Sequence, residues 1–103
     1  MEHGLRTYEL CAETVEFCPD GRVFYLGYPL VLTPAEGRVL RALWDEPTEN
    51  WIGADTLCAR CAVAMRGTLS THIAAINRKA MPIGGRPLIL CRRGSGYRRN
   101  IYP

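Results

Sequence analysis

At Thr33-Pro34-Ala35-Glu36 the chain changes character, and three independent marks say that a helix begins there. Thr33 can act as the N-cap and accept a hydrogen bond from an orphan backbone N–H. Pro34 falls at the first helical position, where its missing N–H costs nothing, and Glu36 can reach back to the cap. Val39, Leu40, Leu43 and Trp44 then recur at helical spacing until Pro47 ends the run. Gly37 is unfavourable inside such a helix, by about 1 kcal/mol relative to Ala. What precedes Thr33 reads as strands: Tyr8 to Cys11, Thr14 to Phe17, Arg22 to Tyr25 and, after a break at Gly27, Tyr28 to Leu32. Pro19-Asp20-Gly21 is a turn, and the set makes a small antiparallel sheet.

Behind the first helix two more are expected. Ala54 to Cys61 fits a short helix with Leu57 and one cysteine inward. Thr68 to about Ala80 fits a longer one. Its apolar residues Leu69, Ile73, Ile76 and Ala80 fall within about 60° of one another at 100° per residue, forming one buried stripe. The opposite face carries Thr71, Ala74, Ala75 and Arg78, with His72 and Lys79 on one flank and Ser70 and Asn77 on the other. Pro82 is expected to stop this helix, and Gly84-Gly85 to form a loop. Leu88 to Cys91 is an apolar strand, Gly94-Ser95-Gly96 a turn, and Tyr97 starts the return strand. Arg92-Arg93 and Arg98-Arg99 flank the turn. Sheet, three helices and basic hairpin in that order make an α+β winged helix-turn-helix. A single domain over 1–103 is expected, with the N-terminal antiparallel sheet over about 8–32, the three-helix core over about 33–81 and the C-terminal β-hairpin wing over about 88–100.

The charge follows the same division. From Cys61 to Pro103 there are eight Arg/Lys and no Asp or Glu, whereas the first 60 residues hold five Arg/Lys against ten Asp/Glu. A one-signed surface attracts a polyanion, and nucleic acid is the first partner to consider. No apolar run approaches the roughly 18 residues of a membrane span. Met1-Glu2-His3-Gly4 does not open a secretory signal, so a cytoplasmic protein is expected. No paired-carboxylate pocket, phosphate loop or nucleophile elbow is present, which argues against an enzyme and against a cofactor. Asp45, Glu46 and Glu49 read as a solvated acidic cluster. Cys58-Ala-Arg-Cys61 has the spacing of half a zinc site or of a redox pair, but no second pair at ligand spacing follows it, and one of the two cysteines can simply be core.

Three stretches carry a family resemblance: Leu32-Thr33-Pro34-Ala35-Glu36, then Thr71-His72-Ile73 with Asn77-Arg78-Lys79, then Arg93-Gly94-Ser95-Gly96-Tyr97. In this order and spacing the chain resembles the DNA-binding effector domain of OmpR/PhoB-type response regulators over nearly its whole length. In that family the three stretches open the first helix, form the recognition helix and form the wing. The sequence departs from the family at Gly37, usually bulky and apolar; at Gly53, usually Ser; at Ala62, often Trp; at Ala74-Ala75, often polar; and at Asn77, often Arg. The last changes would trim charge from a DNA-facing surface.

The resemblance implies double-stranded DNA as partner, homodimeric head-to-tail binding on direct repeats, and contact with RNA polymerase through the loop of roughly Ala62 to Arg66. Family members usually carry an N-terminal phosphoacceptor receiver domain that serves a two-component phosphorelay. With 103 residues and no room for one, this chain reads either as a cut-out effector domain or as a stand-alone protein. A helix fits the major groove. There Thr71 can offer a hydroxyl or a methyl contact, Ala74 and Ala75 apolar contact, and Arg78 a grip on guanine or phosphate. Thr68, His72 and Lys79 are placed for phosphate. Arg93 is the residue the family would put in the minor groove. Arg66, Arg92 and Ser95 complete the expected contact set, and Tyr97 is expected to pack the wing on the core. The alternatives are a winged-helix protein-interaction module, favoured by the Ala74-Ala75 patch, and a thiol or zinc module on Cys58 and Cys61.

Overall fold

The computed structural model describes residues 15–47 and 50–100. The strand expected over Tyr8 to Cys11 lies outside them. Strands β1 (Val15–Phe17), β2 (Val23–Tyr25) and β3 (Tyr28–Pro29) form an antiparallel sheet in the order β1-β2-β3. Val15 pairs with Tyr25 and Phe24 with Pro29. Asp20 closes the first turn by accepting from the Arg22 backbone N–H (3.0 Å) and from Arg22 Nε (2.8 Å). Leu26 and Gly27 make the second turn with both φ positive, 53° and 83°, matching the twist of a tight hairpin. The third strand is shorter than the Tyr28 to Leu32 expected. Leu30 still donates to the Val23 carbonyl (2.8 Å), and the chain then leaves the sheet for the Thr33 cap.

Helix α1 (Pro34–Trp44) starts with the capping box in full: Glu36 N–H donates to Thr33 Oγ1 (3.2 Å) and Thr33 N–H to Glu36 Oε1 (3.0 Å). Val39, Leu40 and Leu43 face the core. The hydrogen site at Gly37 Cα opens on empty space, so glycine there answers no steric need. Helix α2 (Ala54–Cys61) has the expected bounds. Its N-cap, Gly53, supplies no side-chain bond, and Ala62 ends it in a left-handed conformation (φ 58°).

Helix α3 (Arg66–Gly84) is longer at both ends than the sequence suggests, and Pro82 lies inside it instead of stopping it. The proline removes one N–H from the last turn. The turn is nevertheless held by an αL cap at Gly85 (φ 78°), whose N–H reaches the Met81 carbonyl at 2.8 Å. Ile83 packs on the core, and Gly84 lies so close to the Tyr25 ring that a Cβ would overlap its hydroxyl. Docking against the sheet thus carries the helix past its breaker.

Strands β4 (Ile89–Arg92) and β5 (Gly96–Arg99) form the terminal hairpin. Ile52 adds an antiparallel bridge to β5: its N–H donates to the Tyr97 carbonyl (2.8 Å) and its carbonyl accepts from Tyr97 N–H (2.9 Å). One core, built on Leu40, Leu43, Leu57, Leu69 and Ile76, joins the three helices to the sheet and hairpin. The architecture is the α+β winged helix-turn-helix read from the sequence.

Candidate nucleic-acid interface

Helix α3 buries the expected stripe of Leu69, Ile73, Ile76 and Ala80 and leaves Thr68, Ser70, Thr71, Ala74 and Arg78 exposed. Ala75 is a correction: at 7% exposure it belongs to the buried side, not to the outward face. The reason is rotational. Ala75 lies about 60° nearer than Arg78 to the flank that carries His72 and Lys79, and that flank leans on α1.

Lys79 makes the link. Its Nζ stands 2.7 Å from Glu36 Oε1, so the ammonium expected to seek phosphate is paired across the core edge. Burial pushes the Glu36 carboxyl up, but the Lys79 ammonium, the Thr33 N–H and a smaller effect of His72 outweigh it, and the net shift is downward. His72 is half-buried on the same side. Arg66 is also engaged. It grips Asp55 in the first turn of α2 with Nε to Oδ1 at 2.7 Å and Nη2 to Oδ2 at 2.6 Å. Both side chains are exposed, so the pair ties the starts of the two helices with little energy.

Asn77, expected to face DNA in place of a family arginine, is half-buried and does other work. Its Nδ2 donates to the Ile89 carbonyl (3.0 Å) and its Oδ1 accepts from Ile89 N–H (2.9 Å). The Tyr97 ring packs on the core, with its hydroxyl 3.3 Å from Ser70 Oγ. Together these contacts set the hairpin beside α3.

In the hairpin, the arginines differ sharply. Arg92 and Arg98 lie over the Trp51 ring at 4.7 and 4.6 Å, and Arg99 lies over Trp44 at 5.4 Å while donating to the Trp44 carbonyl. Arg93 is exposed at the turn with no partner among the described residues, as is Arg78 on α3. Ser95 N–H closes the turn on the Arg92 carbonyl (3.0 Å), and Gly94 and Gly96 both have positive φ. The sequence reading missed Trp51, Asp55 and the role of Asn77. Only the spacing of polar residues around the helices hints at the last two.

The other candidates fare differently. Cys61 donates its thiol to the Leu57 carbonyl, and burial, with Cys58 beside it, pushes that thiol up in pKa, away from a reactive thiolate. No group of three potential metal ligands occurs among the described residues. Glu46 is paired with Arg60 and Asp45 lies 3.6 Å from Arg41, so these two acids are less free than expected. Glu49 is outside the described residues. A groove of about 920 Å³ between the N-terminal sheet and α1 shares no residue with α3 or the hairpin. No described helix is long and apolar enough to cross a membrane.

No family model and no curated protein matches the chain. Among solved structures it is similar to the DNA-binding domain of the response regulator AdeR in complex with an intercistronic region, at 24% identity and TM-score 0.73, covering 84% of this chain and 93% of that one. It is similar to the C-terminal domain of the nisin resistance regulator NsrR at 21% identity and TM-score 0.71, covering 84% and 91%. It is also similar to the DNA-binding domain of Klebsiella pneumoniae RstA in complex with the RstA box, at 18% identity and TM-score 0.71, covering 86% and 93%. At these identities the likeness establishes the fold: a winged helix of the kind found in response-regulator DNA-binding domains.

Proposed function

We propose that this chain binds double-stranded DNA sequence-specifically as the effector part of a transcriptional regulator. Helix α3 would enter the major groove and Arg93 the minor groove. One observation carries the reading: Thr68, Thr71, Ala74 and Arg78 form an uncovered face on α3, and Arg93 is exposed at the hairpin turn with no partner among the described residues. The AdeR and RstA domains of the same fold are seen with DNA, which supports the same use here. The action is binding, not catalysis, and its place is the cytoplasm.

The residues divide the work by chemistry. Arg78 can grip guanine bidentately and the Thr71 methyl can meet thymine, while Ala74 permits close approach. Thr68 and His72 border the face toward the backbone. Gly94 and Gly96 let the turn run close to the sugar-phosphate chain, and a narrow A·T-rich groove favours the Arg93 guanidinium. Binding by two copies on direct repeats, and contact with RNA polymerase through the segment of roughly Ala62 to Arg66, whose last residue opens α3, belong to the same proposal. Met65, 66% exposed, is the apolar surface that loop offers.

The test is binding to a mixed-sequence duplex pool across a salt series, with Arg78→Ala/Arg93→Ala as comparison. DNA recognition predicts affinity that falls linearly with salt on logarithmic axes, by about 0.9 per phosphate contacted, and that the variant loses. Salt-independent capture of a protein, with no DNA bound at low salt, would favour an interaction module built on Ala74 and Met65 instead.

A further inference from the structure

Two of the four arginines that flank the hairpin turn share one aromatic ring. Arg92 Cζ lies 4.7 Å and Arg98 Cζ 4.6 Å from the Trp51 ring centroid. In the hairpin register Arg92 stands opposite Gly96 and Arg98 opposite Leu90, so both side chains leave the same face of the hairpin. Trp51 comes from elsewhere, the segment between α1 and α2. The Ile52–Tyr97 bridge lays that segment across β5. Gly96 makes room for it, since a Cβ there would overlap the Ile52 carbonyl. Ile52 is buried and its neighbour Trp51 half-buried, as alternation along an extended segment requires.

Two guanidinium groups gathered at one ring repel each other, and among the described residues no carboxylate pairs with either. The negative face of the indole offsets the repulsion. Arg98 Nε is shielded from solvent without a hydrogen-bond partner, so the ring and not a bond holds that group. A guanidinium held through its face keeps its terminal Nη–H groups for an acceptor. A fork of two such cations suits the paired oxygens of a phosphodiester.

We infer that Trp51 is a positioning residue for the wing: it gathers Arg92 and Arg98 into a preformed clamp on a backbone phosphate of duplex DNA, while Arg93 alone enters the groove. The inference rests on the DNA-binding reading above and deepens it. Because phosphate contacts carry no base identity, Trp51 sets affinity and salt dependence and leaves sequence choice untouched.

The experiment compares the native chain, Trp51→Leu, Trp51→Phe, Arg92→Ala/Arg98→Ala and the triple variant Trp51→Leu/Arg92→Ala/Arg98→Ala. Each is measured on a duplex selected from a mixed pool and on an unrelated duplex, over a salt series, with a melting curve. Trp51→Leu should weaken binding about tenfold on both duplexes and lower the salt slope by about 1. Trp51→Phe should keep most of the affinity, and Trp51→Leu should add no loss once both arginines are gone. Equal losses with and without the arginines, or no loss at all while the native chain binds, would overturn the clamp alone. Failure of the native chain to bind either duplex would overturn the DNA reading and the clamp with it. A second readout does not depend on Trp51 substitution. With Trp44→Phe, Trp51 is the sole tryptophan of the two in the chain, and its emission should change along the binding isotherm; unchanged emission at saturation would overturn the clamp.

Discussion

Asn77 of α3 and Ile89 of β4 hold each other by two reciprocal hydrogen bonds, one in each direction across the Asn77 amide. The side chain completes the strand end as a neighbouring strand would. The hairpin is therefore fastened to the helix that would read DNA.

Replacing Asn77 by Leu leaves a part-buried Ile89 N–H and carbonyl without partners. A loss of about 1–3 kcal/mol is expected, measured by denaturant unfolding. DNA affinity should fall with it, because the wing loses its fixed place beside α3.

Ala74 and Ala75 are adjacent in sequence and opposite in role, exposed and buried respectively. Ala74→Gln should leave the unfolding free energy within about 0.5 kcal/mol of native while changing the preferred DNA sequence. Ala75→Gln should destabilise by about 1–3 kcal/mol through overpacking. Thermal melts and a pool selection on both variants separate the two effects.

Arg78 and Arg93 should fail in different ways. Arg78→Ala should cost about 1–3 kcal/mol at the preferred site and relax base choice at the position it reads. Arg93→Ala should penalise A·T-rich sites with a narrow minor groove more than G·C-rich ones. Competition binding with duplexes varied at one segment at a time distinguishes the two patterns.

The Glu36–Lys79 pair gives stability a pH dependence of known sign. The folded-state pKa of Glu36 is lowered, so its contribution is complete above the unfolded carboxylate value, about 4.3. It is lost as pH falls below that value and through the folded one. Urea unfolding between pH 7 and pH 3 should show Glu36→Gln already weakened at pH 7, with a smaller further loss on acidification than the native chain. Thr33→Ala, which removes only the cap acceptor, should cost about 1 kcal/mol across the whole range.

What could be read from the chain and what could not divides by distance in sequence. The Thr33–Glu36 box, the α2 bounds and the order of elements rest on local rules, and these appear in the fold as expected. The candidate face was legible to within one helical flank. Periodicity places Ala75 outward, but only the packing of α1 against α3, through Lys79 and Glu36, shows that its side is covered. Pro82 inside α3 obeys Gly84 and Tyr25, contacts that no local rule contains. Trp51 and Asn77 meet their partners 41 or more and 12 positions away respectively. A helix face can be read from spacing, whereas a side chain's partner in another element cannot.

The bridge between Ile52 and Tyr97 joins the middle of the chain to almost its last described residues. Synthesis runs from the N-terminus, so α3 is made well before the strand that locks it in place. Contacts so far apart in sequence form late. A nascent or prematurely terminated chain that stops short of Tyr97 thus holds every residue of the three helices but lacks the strand that pairs with Ile52 and closes the hairpin.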